Sequence, residues 1–242
     1  MHKLDINQVY NGDSNLMIKS IESESVDLVI IDPPYKIRKK TDEINSLAKA
    51  VKKYNEELQR DNLINEYDKS ILEELVRVMK RINIYIWCNK NQIRPLMEHY
   101  ENKGCNVDLL VWHKTNPIPT CNGKYLSDLE YCVFARDKGV KLYGTYETKS
   151  KVYISQANTE DKKKYGHPTI KPLERIEEYI INSSQAGEII LDPFVGSGTT
   201  CVAAKRLGRK YIGFEINEKY YKIAKDRLQG WNQKNEMNLF DI

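Results

Sequence analysis

The sequence predicts an α/β fold: a mainly parallel sheet with helices on both faces. Two observations carry this. Five short apolar runs lack polar alternation, at 26–32 (VDLVIID), 82–88 (INIYIWC), 107–112 (VDLLVW), 188–192 (EIILD) and 210–215 (KYIGFE). Runs of this kind suit strands covered on both sides, because a half-exposed strand alternates. Segments with helical apolar spacing lie between them, so strand and helix take turns along the chain.

Residues 3–9 and 26–32 are the first two strands, joined by Tyr10-Asn11-Gly12-Asp13 and a short helix. Ile71, Leu72, Leu75, Val76 and Met79 then recur at helical spacing. The strand at 82–88 leads to a helix over 91–103 that Gly104 stops. After the strand at 107–112, residues 114–166 break the rhythm with Pro117, Pro119, Gly123, Gly139 and Gly144. The best strand there is 129–135 (LEYCVFA), expected as an antiparallel or irregular addition to the sheet. A helix over 172–183 has proline at its first position. The strand at 188–192, a helix over 199–207 ending at Gly208, the strand at 210–215 and a helix over 218–228 complete the order. That makes seven strands. The layout is one catalytic domain, 1–113 with 167–231, a small insertion at 114–166 and a polar tail at 232–242.

The 242 residues suit one sizeable domain. No apolar run is long enough to span a bilayer, and the opening MHKLDINQVY lacks the apolar core of a signal peptide. A soluble cytoplasmic protein is expected. Cysteines at 88, 105, 121, 132 and 201 form no CxxC pair and have no histidine cluster beside them. This argues against a zinc site and a disulfide framework, and no metal is expected. Net charge is +4. Residues 36–60 alone hold eight basic and four acidic side chains, an excess equal to that of the whole chain. This basic stretch is either a solvated helix face or a phosphate contact.

Two segments carry chemistry. Residues 30–36 (IIDPPYK) end an apolar strand in Asp32, Pro33, Pro34 and Tyr35. Proline lacks a backbone donor and restricts the residue before it, so the chain is stiffened beside a carboxylate and an aromatic ring. Residues 190–200 (ILDPFVGSGTT) run from a strand through Gly196 and Gly198 into a helix. Glycines at such a turn let a ligand approach the backbone, and the helix start offers N–H groups to an anion. The next strand ends in Glu215, where dinucleotide-binding folds grip a ribose. A third glycine is missing, and no lysine follows GSGT, which argues against an NAD site and a P-loop.

Asp32-Pro33-Pro34-Tyr35, the HPTIKP run at 167–172 and the DPFVGSGTT run at 192–200 occur in that order. Together they resemble the amino-group DNA methyltransferases of the circularly permuted beta group, in which the catalytic half precedes the cofactor half. The likeness covers 4–35 and 70–230. It implies a Rossmann-like S-adenosylmethionine-dependent methyltransferase fold, circularly permuted, with the glycine-rich unit at 188–215 and the continuation of the sheet supplied by the first strands.

The resemblance also implies roles. Asp13 would meet the cofactor adenine, and Glu215 the ribose hydroxyls. Phe194, Gly196 and Gly198 would pack the methionine end, with Asp192, Ser197 and Thr199 around them. His167, Thr169 and Lys171 would line the same cavity, as would Asp32. S-adenosylhomocysteine would be the product. Asp32 and the Pro33 carbonyl would accept the protons of an exocyclic amine, Pro34 would fix their geometry and Tyr35 would stack on a flipped base. Lys114 would contact phosphate and Asn116 would shape the base pocket, whereas Lys36, Lys39 and Lys40 lie beyond the likeness and are expected to contact DNA from the charge of the basic stretch they open. Asp in the first motif position favours adenine N6. Cytosine N4, an RNA base and a non-enzymatic nucleic-acid-binding module remain as alternatives. A restriction-modification setting of bacterial or phage type, with DNA, a companion restriction enzyme and a second copy of the chain as partners, belongs to the same expectation.

Overall fold

The computed structural model describes residues 4–34, 70–117, 125–167 and 169–239. Eight strands are present among them: β1 (Gln8–Asn11), β2 (Leu28–Ile31), β3 (Asn83–Cys88), β4 (Asn106–Lys114), β5 (Leu129–Arg136), β6 (Val152–Ser155), β7 (Ile189–Asp192) and β8 (Lys210–Glu215). They form one sheet in the order β1-β8-β7-β2-β3-β5-β4-β6. Neighbours pair in parallel except around β5, which is antiparallel to both β3 and β4.

The uniform apolar runs are buried as their composition requires. All four residues of β2 and all six of β3 are buried. Alternate side chains go to opposite faces. Val29 and Ile31 join Ile84 and Ile86 in one core layer, whereas Leu28 and Ile30 join Tyr85 and Trp87 in the other. The first layer is closed by the short helix α1 (Ser14–Met17) and its 3-10 extension (Ile18–Ser20), by α2 (Ile71–Val78) and by α3 (Ile93–Glu101). The second is closed by α5 (Leu173–Ser183), α6 (Thr199–Arg206) and α7 (Glu218–Leu239). Burying each aliphatic side chain contributes about 1.5–3 kcal/mol relative to exposure. Tyr85 lies stacked between Phe134 at 4.2 Å and Tyr179 at 4.1 Å, which locks α5 over β3 and β5.

Three expectations change. The sheet has eight strands where seven were expected. Val152–Ser155 pairs in parallel along the outer edge of β4, and its half-exposed residues gave no continuous apolar run. The first strand begins at Gln8 and not at residue 3, because Asn7 takes a left-handed backbone with φ +61° that breaks extended structure. The closing helix, expected over 218–228, continues to Leu239. A further short helix, α4 (Thr159–Tyr165), also escaped the sequence reading and ends at Gly166 in the left-handed region.

The four described cysteines, Cys88, Cys105, Cys132 and Cys201, are buried and free. Among the described residues no helix is long and apolar enough to cross a membrane.

Candidate active site

The chain leaves β7 for β8 on one side of the sheet and leaves β2 for β3 on the other. A crevice opens beyond the carboxyl ends of strands where such directions diverge. A cavity of about 370 Å³ lies there, within the range of about 300–1,000 Å³ usual for small-molecule sites. Its wall includes Asp13, Asp32, His167, Thr169, Lys171, Asp192, Phe194, Gly196, Ser197, Thr199 and Glu215, all expected from the sequence. Pro33 and Pro34 line it too. Gly198 is the one expected cofactor residue outside the lining; it shapes the turn behind it.

The glycine turn is built from its own backbone and two carboxylates. Asp192, at the end of β7, accepts the Phe194 N–H through Oδ1 at 2.9 Å. Gly196 and Gly198 take φ +54° and +90°, where a side chain is strained. The His167 ring sits against Gly196, since a Cβ there would stand 2.9 Å from Nε2. Its other flank meets Tyr220 edge-on at 4.4 Å. Glu215 accepts the Gly196 N–H through Oε2 and the Asn217 N–H through Oε1, each at 2.7 Å. Each carboxylate oxygen has a second lone pair for a ligand hydroxyl. Burial pushes the Glu215 carboxyl up, while the two N–H groups pull it down.

Asp13 follows β1 and caps α1, its Oδ1 accepting the Asn15 N–H at 2.7 Å. The capping role is compatible with its place on the cavity wall. Next to it, the Ser14 hydroxyl donates to the Pro193 carbonyl and ties the first strand to the glycine turn.

Asp32 stands where β2 stops. Pro33 and Pro34 have no N–H, so the parallel ladder cannot continue past the aspartate. Lys171 Nζ meets Asp32 Oδ2 at 2.5 Å and Glu130 Oε2 at 3.3 Å, and lies 5.1 Å from the Trp87 ring centroid. Burial would raise the Glu130 carboxyl, but the Lys171 and Lys114 ammoniums outweigh it and bring Glu130 down to about 2.

Lys114 pairs with Glu130 at 2.8 Å and lies over Trp112 at 5.4 Å. Asn116 accepts the Ala157 N–H at 2.6 Å and so holds the approach to α4. Both expected DNA contacts thus have partners within the chain. Tyr35, Lys36, Lys39, Lys40 and the remainder of the basic stretch at 36–60 lie outside the described residues.

Three residues went unnoticed in the sequence. Trp87 is the floor beneath Lys171 and was visible only as one more apolar residue of a strand. Glu130 arrives through the antiparallel β5. Arg227, on α7, donates through Nη1 to the Ser197 carbonyl at 2.7 Å, Ser197 Oγ at 3.1 Å and Thr199 Oγ1 at 3.3 Å, with its guanidinium 4.1 Å from the Tyr165 ring centroid. Nothing local in its sequence marks this clamp.

Asp13, Glu215 and the glycine turn line one side of the cavity, and Asp32 faces the same space. Among the described residues no group of three or more His, Cys, Asp or Glu is placed to hold a metal ion.

The chain is similar to known proteins in sequence and fold. Relatives include the Type II methyltransferase M2.LlaDCHI of Lactococcus lactis subsp. cremoris, 31% identical over 90% of this chain and 87% of that protein. The Type II methyltransferase M.HinfI of Haemophilus influenzae is 28% identical over 93% of this chain and 68% of that protein. Among solved structures, the M1.HpyAVI–SAM complex matches with a TM-score of 0.62 and 28% identity over 91% of this chain and 98% of that one. The cytosine-N4-specific PvuII DNA methyltransferase shares the fold at a TM-score of 0.64 and 18% identity, over 93% of this chain and 87% of that one. The DNA methylase family model N6_N4_Mtase matches residues 26–226, most of the chain. The chain belongs to this N6/N4 DNA methylase family.

Proposed function

We propose that the protein transfers a methyl group from S-adenosylmethionine to the N6 amine of an adenine extruded from DNA. The observation that carries this is the meeting of two strand ends in one cavity. Asp32, Pro33 and Pro34 at the end of β2 face the same space as the glycine turn and Glu215 at the ends of β7 and β8. When bound, S-adenosylmethionine supplies a methyl group on a sulfonium sulfur. The residues fit it: Phe194, Gly196 and Glu215 line the cavity, and Glu215 keeps acceptor capacity for ribose hydroxyls.

Asp32 and the Pro33 carbonyl accept the two protons of the target amine, which keeps the nitrogen lone pair localised and aimed at the methyl carbon. The rigid Pro33-Pro34 pair supplies orientation, and the fixed carboxylate supplies electrostatic stabilisation as the amine becomes cationic. In the transfer the nitrogen forms a bond to the methyl carbon as the C–S pair returns to sulfur. The nitrogen then releases one proton, which Asp32 passes to water. A base inside a duplex cannot reach this crevice, so it is flipped out. Tyr35 stacks on it, and Lys36, Lys39 and Lys40 engage the phosphate backbone, while Lys114 stays paired with Glu130. Asp at position 32, by the family resemblance, supports adenine as the acceptor.

Incubation with DNA and methyl-labelled S-adenosylmethionine, followed by nucleoside analysis, tests the reading. Labelled N6-methyladenine is expected. Label in N4-methylcytosine, or transfer to RNA alone, would overturn the acceptor assignment.

A further inference from the structure

Four charged side chains alternate in sign across the catalytic end of the sheet. Lys171 Nζ is 2.5 Å from Asp32 Oδ2 and 3.3 Å from Glu130 Oε2, and Glu130 Oε1 holds Lys114 Nζ at 2.8 Å. They come from four places: the end of β2, the approach to α5, the start of β5 and the end of β4. The β3–β5 register brings them together. Tyr131 lies opposite Cys88, the last residue of β3, so Glu130 falls one step beyond, beside the carboxyl end where Asp32 also sits.

Lys171 is nearly sealed from water, with a side chain 6% exposed against the Trp87 ring. An ammonium in that position needs an anion in contact. If Asp32 were its sole anion, Asp32 could not turn toward a target amine without stranding a buried cation. Glu130 removes that conflict. Its carboxylate stays ionised because two ammoniums flank it, and Lys114 keeps it from swinging to solvent.

We propose that Glu130 is a positioning residue that draws Lys171 toward itself as the target amine engages Asp32. This rests on the reading of Asp32 as the acceptor of the amine protons. Glu130 makes and breaks no bond in the transfer. It sets how readily Asp32 gives up a hydrogen bond to Lys171 in favour of one from substrate. The role is local to methyl transfer, because Glu130 is absent from the cavity lining that receives the cofactor.

Single-turnover methylation of DNA, with cofactor affinity measured separately by equilibrium binding, tests this on Glu130→Gln and Glu130→Asp. Glu130→Gln should slow the transfer step by about tenfold to hundredfold while cofactor affinity changes by less than about threefold. Glu130→Asp keeps the charge and should recover most of the rate. A wild-type rate for Glu130→Gln would overturn the proposal. So would an aspartate variant as slow as the glutamine one, or a fall in cofactor affinity and melting temperature that parallels the rate. Asp32→Asn, assayed alongside, separates the two layers. If it methylates normally, the reading of Asp32 fails; if it is inactive while Glu130→Gln is normal, only the role of Glu130 fails.

Discussion

Glu215 at the end of β8 accepts the backbone N–H of Gly196 at 2.7 Å. One carboxylate therefore holds the glycine turn in shape and also lines the cavity, where the proposed cofactor ribose would meet it. Stability and binding are coupled at this contact. Glu215→Ala leaves the Gly196 and Asn217 N–H groups without their acceptor. Each hydrogen bond to a charged group contributes about 1.5–3 kcal/mol. S-adenosylmethionine affinity, measured by titration calorimetry, should fall at least about tenfold, since 1.4 kcal/mol is a factor of ten. Unchanged affinity would remove Glu215 from the cofactor site.

Gly198 predicts a stability effect with two separable parts. Its φ of +90° is strained for any side chain, and an added Cβ would stand 3.0 Å from Ala224 Cβ and 3.1 Å from Ala224 Cα. Gly198→Ala should cost about 1–3 kcal/mol of stability, read by denaturant melts. Adding Ala224→Gly relieves only the side-chain crowding, so the double variant should recover part of the loss. Full recovery would mean that backbone strain contributes nothing.

Arg227 ties the last helix to the glycine turn through Ser197 and Thr199. Arg227→Met keeps much of the packing volume and removes the hydrogen bonds. The melting temperature should fall, with a loss of about 1–3 kcal/mol. Cofactor affinity should fall with it, because the turn is no longer held. An unaffected melting temperature would contradict the clamp.

Asp192 predicts a pH dependence. Burial pushes its carboxyl from 3.8 up to about 7, although the Thr200 hydroxyl and the Phe194 N–H act against this and the Asp32 and Glu215 charges reinforce it. The folded state thus holds the proton more tightly than the unfolded chain. The resulting stability is full below the unfolded value and is lost as pH rises through about 7. Asp192→Asn keeps an Oδ1 acceptor for Phe194 and cannot ionise. Relative to wild type, its melting temperature should therefore rise between about pH 5 and about pH 8. A constant difference across that range would show that Asp192 does not titrate there.

These residues also mark what was legible in the sequence. The ends of β2, β7 and β8 were readable because uniform apolar runs stop at an acid, and glycines and prolines punctuate them. That located Asp32, the glycine turn and Glu215. Nothing in the sequence marked which strands flank β5, so its wedging between β3 and β4 was hidden, and Glu130 with it. Arg227 and Trp87 act through contacts made only after packing. Lys171 was expected in the cavity, but its grip on Asp32 crosses 139 positions of chain. β6 was missed because an edge strand needs no continuous apolar run.

In the proposed reaction Asp32 orients the target amine, and its place on the cavity wall contributes little to cofactor affinity. The most direct test of this role is the single-turnover rate of labelled methyl transfer to DNA by Asp32→Asn, with cofactor affinity measured on the same preparation. The expected rate is at least about a hundredfold below wild type. S-adenosylmethionine affinity is expected within about threefold of wild type, a shift under about 0.7 kcal/mol. A wild-type transfer rate, or a rate loss explained wholly by lost cofactor binding, would contradict this role.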